Sequence, residues 1–200
     1  MENFTLLIDR ISAGVGKAFA WCIILLTFGV GYEVFMRYVL RAPTTWAFDI
    51  SYIMYGGLFM MAGAYTLSRN AHVRGDVVYR LMSPRGQGLL DLTLYILFFF
   101  PSFGALLIYG FPYMLMSWRF GEVSIYSPAG VPIYPSKTII VLAAFFMLLQ
   151  GVAESIRCAL AIKNNRWPQR LHDVEEMETM ILREAQDQAR AIVAKGGTAL

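Results

Sequence analysis

Four long apolar stretches, separated by short polar segments, set the rhythm of this 200-residue chain. The first, 18–36, holds one charge, Glu33, and the second, 46–68, holds only Asp49. The third, 92–118, has none, nor has 138–153; the last extends to 133–156 if Lys137 lays its stem along the bilayer and lifts its ammonium to the surface. Apolar runs near 20 residues cross a hydrocarbon core as helices, and a helix satisfies its own backbone where no water can. The pattern predicts an all-α integral membrane protein with four transmembrane helices, at about 16–39, 46–68, 88–118 and 133–157. These make a membrane domain over 1–162, followed by a cytoplasmic, largely helical tail over 163–200.

The polar segments carry their own signals. The first run lacks a small-x-small cleavage site and runs on through "GYEVFMRY" towards a second span, so it reads as retained. Pro101 and Pro112, with Gly104 and Gly110 beside them, predict a kink or tilt in the third span. In "NAHVRGDVVYRLMSPRG", Val73, Val77 and Leu81 recur every four residues while Arg74 and Arg80 fall elsewhere. That suits a short helix lying on the membrane surface, its two arginines meeting anionic headgroups. Between spans three and four, Pro128, Pro132, Pro135, Gly121 and Gly130 make a stiff, non-helical connection. After Trp167 and Pro168, apolar residues at near-helical spacing (Leu171, Val174, Met177, Ile181) predict an amphipathic tail helix.

Composition agrees: 57% of residues are hydrophobic and 16% charged, against about a quarter charged in ordinary globular domains. The net charge of +3 comes from a bias between the two sides of the membrane. Thirteen Lys and Arg fall in the N-terminal segment, the second loop and the tail counted from Arg157 onward, and four on the other side. Both termini are therefore expected in the cytoplasm. No aromatic-basic surface suggests nucleic acid. The two histidines, His72 and His172, lie outside the spans, where neither could ligate a membrane haem. No nucleophile–base set, phosphate loop or metal-spaced cluster is present, and Cys22 and Cys158 have no framework spacing. The reading is no enzyme, no cofactor and no metal. No internal repeat of the kind found in many carriers is visible.

The charges inside the spans are the candidate functional residues. Glu33 and Arg37 stand at i and i+4 with the acid first, the favourable order for a helical ion pair. Asp49, one turn into span two, shares a stripe with Tyr52, Gly56, Phe59 and Gly63; Gly57 and Ala64 form a neighbouring small-residue line. Small residues let membrane helices approach closely, so Glu33, Arg37, Asp49, Gly56 and Gly63 are read as helix- or subunit-packing residues. Asp49 is expected near Arg37 or Arg41, or as a cap at its helix start. A rival reading makes Glu33 the proton site of a self-sufficient small carrier, and a third makes the chain a membrane anchor for a redox complex.

Three segments in order, "FMRYVLRAPTTWAFDIS", "GAYTLSRNAHVRGDVVYRLMSPRGQGLLDL" and "SWRFGEVSIYSPAGVPIYPSKTIIVLAAFFMLLQGVAESIR", resemble the small four-helix permease subunit (DctQ-type) of tripartite ATP-independent periplasmic (TRAP) transporters. The "GEVS" loop and "LLQGVAESIR" ending resemble the subgroup associated with mannitol, chloroaromatic compounds and 2-oxo acids; Asp49 stands where many relatives carry Glu. The resemblance implies a bacterial inner-membrane protein with two partners. One is a large membrane subunit that transports an organic acid with sodium. The other is a periplasmic substrate-binding protein that delivers it. The small subunit braces the first and helps seat the second. On that footing Arg41, Glu122, Ser124 and Tyr126, in the two loops expected in the periplasm, form the patch facing the binding protein.

Overall fold

The structure, a computed structural model, describes residues 2–72, 79, 81–126 and 128–168. Among these residues six α-helices run in order: α1 (Glu2–Ala20), α2 (Cys22–Tyr38), α3 (Ala47–Ser68), α4 (Pro84–Leu94), α5 (Phe100–Phe120) and α6 (Tyr134–Asn164), with a π-helical turn, Tyr95–Phe99, joining α4 to α5. Four helical rods are long and apolar enough to cross a membrane: Phe4–Tyr38, Ala47–Ser68, Pro84–Phe120 and Tyr134–Asn164. The protein is thus an all-helical membrane protein. Among the described residues the only β pairing is one antiparallel bridge, Val123 with Pro132. The expected surface helix with Arg74 and Arg80, and the tail helix beyond Pro168, lie outside the described residues.

The first rod begins earlier than the hydrophobic pattern suggests. The 22 residues of α3 are about 33 Å long at 1.5 Å per residue, one hydrocarbon core. The 35 residues of the first rod are about 52 Å, so α1 carries it well past one surface. Helix α1 is inverted relative to a soluble surface helix: Thr5, Asp9 and Ser12 are buried beside Ile8, while Phe4, Leu7 and Ile11 are exposed. In lipid the polar stripe must turn inward, because the bundle interior offers the only partners. Trp21 marks the joint with α2, where Trp21 O accepts from both Ile24 N (3.1 Å) and Leu25 N (3.4 Å), and the rod continues.

Helix α6 is the hub, touching α1, α3, α4 and α5; α3 touches α1, α2 and α6. Rods one, two and four therefore touch one another, and rod three packs on rod four. Outer rods pack on one side only, and α2 accordingly has no buried residue. Close approaches use glycine: a Cβ on Gly57 would meet Ile139 at 3.2 Å, one on Gly63 the Met147 sulfur at 3.2 Å, and one on Gly151 the Phe99 ring at 2.4 Å. Just before Pro101 lies the π turn, where Phe100 N donates to Tyr95 O, while Pro112 lies inside α5. The wider turn accommodates a residue that has no N–H to donate.

Helix ends are closed by left-handed residues. Asn70 (φ 53°) follows α3, with Asn70 N donating to Leu67 O and Ala71 N to Thr66 O. Gly121 (φ 57°) follows α5 with the matching pair, Gly121 N to Trp118 O and Glu122 N to Ser117 O. Both are Schellman caps. The second folds the chain back so that Glu122 lies over Ser117.

Candidate functional site

Side chains form closed polar sets at the two ends of the rods. The near end is where α1 begins and α6 finishes. There, two polar stripes face each other: Thr5, Asp9 and Ser12 on α1, and Gln150, Glu154 and Arg157 on α6. Each has i, i+4, i+7 spacing, and every member is 4% exposed or less. Arg157 Nη2 donates to Asp9 Oδ2 and Nη1 to Glu154 Oε1 at 2.6 Å. Gln150 Nε2 donates to Asp9 Oδ1 at 2.9 Å and, at 3.4 Å, to Glu154 Oε1. Ser12 Oγ donates to Gln150 Oε1 at 2.9 Å. Each carboxylate is thus held by the one guanidinium, which stays charged at any accessible pH. The set ties span one to span four.

At the far end, three sets hold the connections. Arg37 Nη2 donates to Glu33 Oε1 at 2.6 Å, and the other Glu33 oxygen accepts from Thr44 N at 3.1 Å and from the Thr44 hydroxyl. Glu33 therefore clasps the 39–46 connection. Ser124 Oγ donates to Asp49 Oδ1 at 2.8 Å, pinning the loop after α5 to the start of α3. Lys137 pairs with Glu122, which also accepts from Ser117 Oγ at 2.6 Å. The Lys137 and Ser117 hydrogen bonds hold the Glu122 carboxyl below the ordinary glutamate value. Lys137 Nζ also lies 3.9 Å from the Tyr113 ring centroid. Trp118 Nε1 donates to Thr138 Oγ1 at 2.8 Å while its ring leans on Tyr134. The loop itself is stapled by Ser124 N to Val131 O (2.8 Å) and Ile133 N to Glu122 O (3.0 Å).

Glu33 and Arg37 are brought together at the expected spacing. Asp49 is placed differently: its partner is Ser124, not Arg37 or Arg41, and its Oδ2 is buried without a partner among the described residues. The loop after α5 reaches it first, because the Schellman cap turns that loop inward. The packed line of α3 is also shifted. Gly57, Met61, Ala64 and Ser68 are inside, Tyr52 and Phe59 are 72% exposed, and a Cβ on Gly56 would touch nothing within 4 Å. Among the described residues Gly56 thus packs against no other helix, whereas Gly63 meets Met147.

Of the loop residues, Arg41 is exposed with φ 53°, and Tyr126 is 84% exposed beside Ile125 at 87%. Ser124 is 7% exposed with its hydroxyl turned to Asp49, so its side chain belongs to the interior, and Glu122 is engaged by Lys137. Arg74 and Arg80 are outside the described residues.

The near-end set was not read from the sequence, although its signal is present. Polar residues at i, i+4 and i+7 opposite exposed apolar ones mark an inward face. Taking Arg157 as the first residue of the tail hid the match.

Among the described residues no three His, Cys, Asp or Glu side chains come together as a metal site. What the geometry can do is fasten: each far-end acid except Asp49 has both oxygens or its charge engaged by a neighbouring segment. A family model described as Tripartite ATP-independent periplasmic transporters, DctQ component, matches residues 26–161. No curated protein matches the chain.

Proposed function

Because the chain belongs to the DctQ family, the small membrane component of tripartite ATP-independent periplasmic transporters, and is a transporter component rather than an enzyme, we propose that it acts as a static brace. It holds the large membrane subunit in the bilayer while that subunit moves an organic acid with sodium, and it helps seat the periplasmic binding protein. The observation carrying this reading is the way its ionised groups are consumed. Asp9, Glu154 and Arg157 are locked together at one end, and Glu33 is locked by Arg37 and Thr44 at the other. A coupling carboxylate must exchange partners during a cycle; Glu33 here is committed to holding a loop, which argues against the small-carrier reading.

Both termini lie in the cytoplasm, as the bias of basic residues supports. The 121–133 loop then faces the periplasm, and its exposed Ile125 and Tyr126, with Arg41 across from it, form the surface for the binding protein. The outward Gly56 offers a close approach to the large subunit.

The test is binding-protein-driven uptake in proteoliposomes. The small chain alone gives none, and all three components together give sodium-dependent uptake. Gly56→Leu lowers co-purification with the large subunit while leaving the small chain folded. Arg41→Glu or Tyr126→Ala lowers uptake at limiting binding protein with co-purification intact. Uptake by the small chain alone, abolished by Glu33→Gln, would overturn the brace.

A further inference from the structure

At the near end, a cleft of about 300 Å³ opens between α1 and α3, lined by Asp9, Arg10, Ala13, Gly14, Lys17, Ser68 and Arg69. We propose that this cleft binds the phosphate headgroup of an anionic phospholipid.

Three cations converge on it. Arg10 and Lys17 lie two turns apart on α1 and bracket the opening, and neither has an ion-pair or hydrogen-bond partner among the described residues. Arg69 comes from the end of α3, its guanidinium 5.2 Å from the Tyr65 ring centroid. The one acid in the lining has both oxygens engaged: Asp9 Oδ1 accepts from Gln150 and Oδ2 from Arg157. Among the described residues an arriving anion therefore meets three cations with no ion-pair partner, against one acid whose oxygens are both engaged. Like charges gathered without counterions are mutually repulsive, so the cleft gains from an anion before any specific contact is counted.

Depth identifies the source of that anion. Ser68 is the last residue of α3, the rod whose length matches the hydrocarbon core, and Arg69 is the next. The cleft thus sits where acyl chains end and phosphates begin, the level at which basic pockets between spans capture lipid headgroups. Its volume is about ten times the share of one liquid water, room for a phosphate with part of its glycerol. The wall is open at Gly14, where an added Cβ would meet nothing within 4 Å. The site is independent of the brace reading; it needs only that the chain spans a membrane.

The experiment is lipid retention on the full chain purified in mild detergent, read by native mass spectrometry during titration with phosphatidylglycerol or phosphatidylcholine. The expected result is one saturable phosphatidylglycerol and no comparable phosphatidylcholine. Each of Arg10→Gln, Lys17→Gln and Arg69→Gln lowers affinity about fivefold, and the triple variant about a hundredfold, from the usual worth of one basic residue near an anionic surface. Gly14→Leu keeps every charge and fills the opening, so it also removes the saturable binding without risk to the packed core. Arg85→Gln with Lys163→Gln, exposed at the same end, leaves it unchanged. Equal loss in that control pair would reduce the effect to diffuse attraction and overturn the site. So would equal retention of the two lipids, or displacement of the lipid by millimolar inorganic phosphate, which would show a free-phosphate site instead.

Discussion

Replacing Arg157 by Met separates a charge-compensation role from simple hydrogen bonding. Arg157 is 1% exposed and is the cation for both Asp9 and Glu154, themselves 2% exposed. If its two donated bonds were worth only what interhelical hydrogen bonds in membrane proteins average, about 0.6 kcal/mol each, the loss would be about 1 kcal/mol. Removing one partner of a buried ion pair leaves an uncompensated charge and costs about 3–5 kcal/mol. The second figure applies here, since all three side chains are 2% exposed or less and the substitution leaves two buried carboxylates without their cation. The expected result is a loss of about 3–5 kcal/mol for Arg157→Met. The triple variant Asp9→Asn, Glu154→Gln, Arg157→Met recovers most of it, because no charge remains stranded. The assay is reversible unfolding in mixed micelles of increasing sodium dodecyl sulfate fraction, followed by far-ultraviolet circular dichroism. A single-variant loss below about 1 kcal/mol, or a triple variant no better than the single, would refute the argument from stranded charge.

Two further outcomes test the rest of the frame. Gly151→Ala costs about 1–3 kcal/mol in the same assay, because its Cβ would lie 2.4 Å from the Phe99 ring and that ring is hemmed in by Tyr95, Phe100 and Phe103; adding Phe99→Leu recovers part of the loss. The Glu122 carboxyl is held below its ordinary value of 4.5, so the Lys137–Glu122 contribution is complete above that pH and is lost as pH falls through the lower folded value. Proteolytic nicking of the 121–133 loop therefore rises as pH drops below about 4.5, where an acid-stable protease such as pepsin can read it, and Glu122→Gln removes that dependence.

The four rods were legible because lipid imposes one rule on every residue of a span, and a run of apolar side chains states it without ambiguity. The Glu33–Arg37 pair was legible for a related reason: its partners sit on one helix at a spacing fixed by 3.6 residues per turn. Contacts between rods obey no such local rule. Asp49 could have met any polar group at the far end, and its choice of Ser124 depends on Gly121 turning the chain back over α5. The helix that carries the first rod on toward the N-terminus was hidden for a different reason. Arg10 and Asp9 lower the local hydropathy, and the window that finds apolar runs discards a helix whose polar stripe faces inward. A reading by face rather than by average would have joined Thr5, Asp9 and Ser12 to Gln150, Glu154 and Arg157.

The placement of the polar sets has a mechanical consequence. Charges cost most at mid-membrane and less near its surfaces, and in this chain both ends hold polar clasps while the middle is joined by glycine, alanine and methionine contacts such as Gly63 on Met147. Apolar contacts alone resist sliding poorly, since one row of methyl groups replaces another as helices shift. A closed set of donors and acceptors does not tolerate such a shift. Moving α6 past α1 by one turn, about 5.4 Å, would tear Arg157 from Asp9 and leave both buried charges without their partner. With clasps at both ends, neither tilt nor translation of the rods is free. A subunit built in this way can resist the forces of a moving neighbour, and its outward faces, α2 with no buried residue among them, are where that neighbour would press.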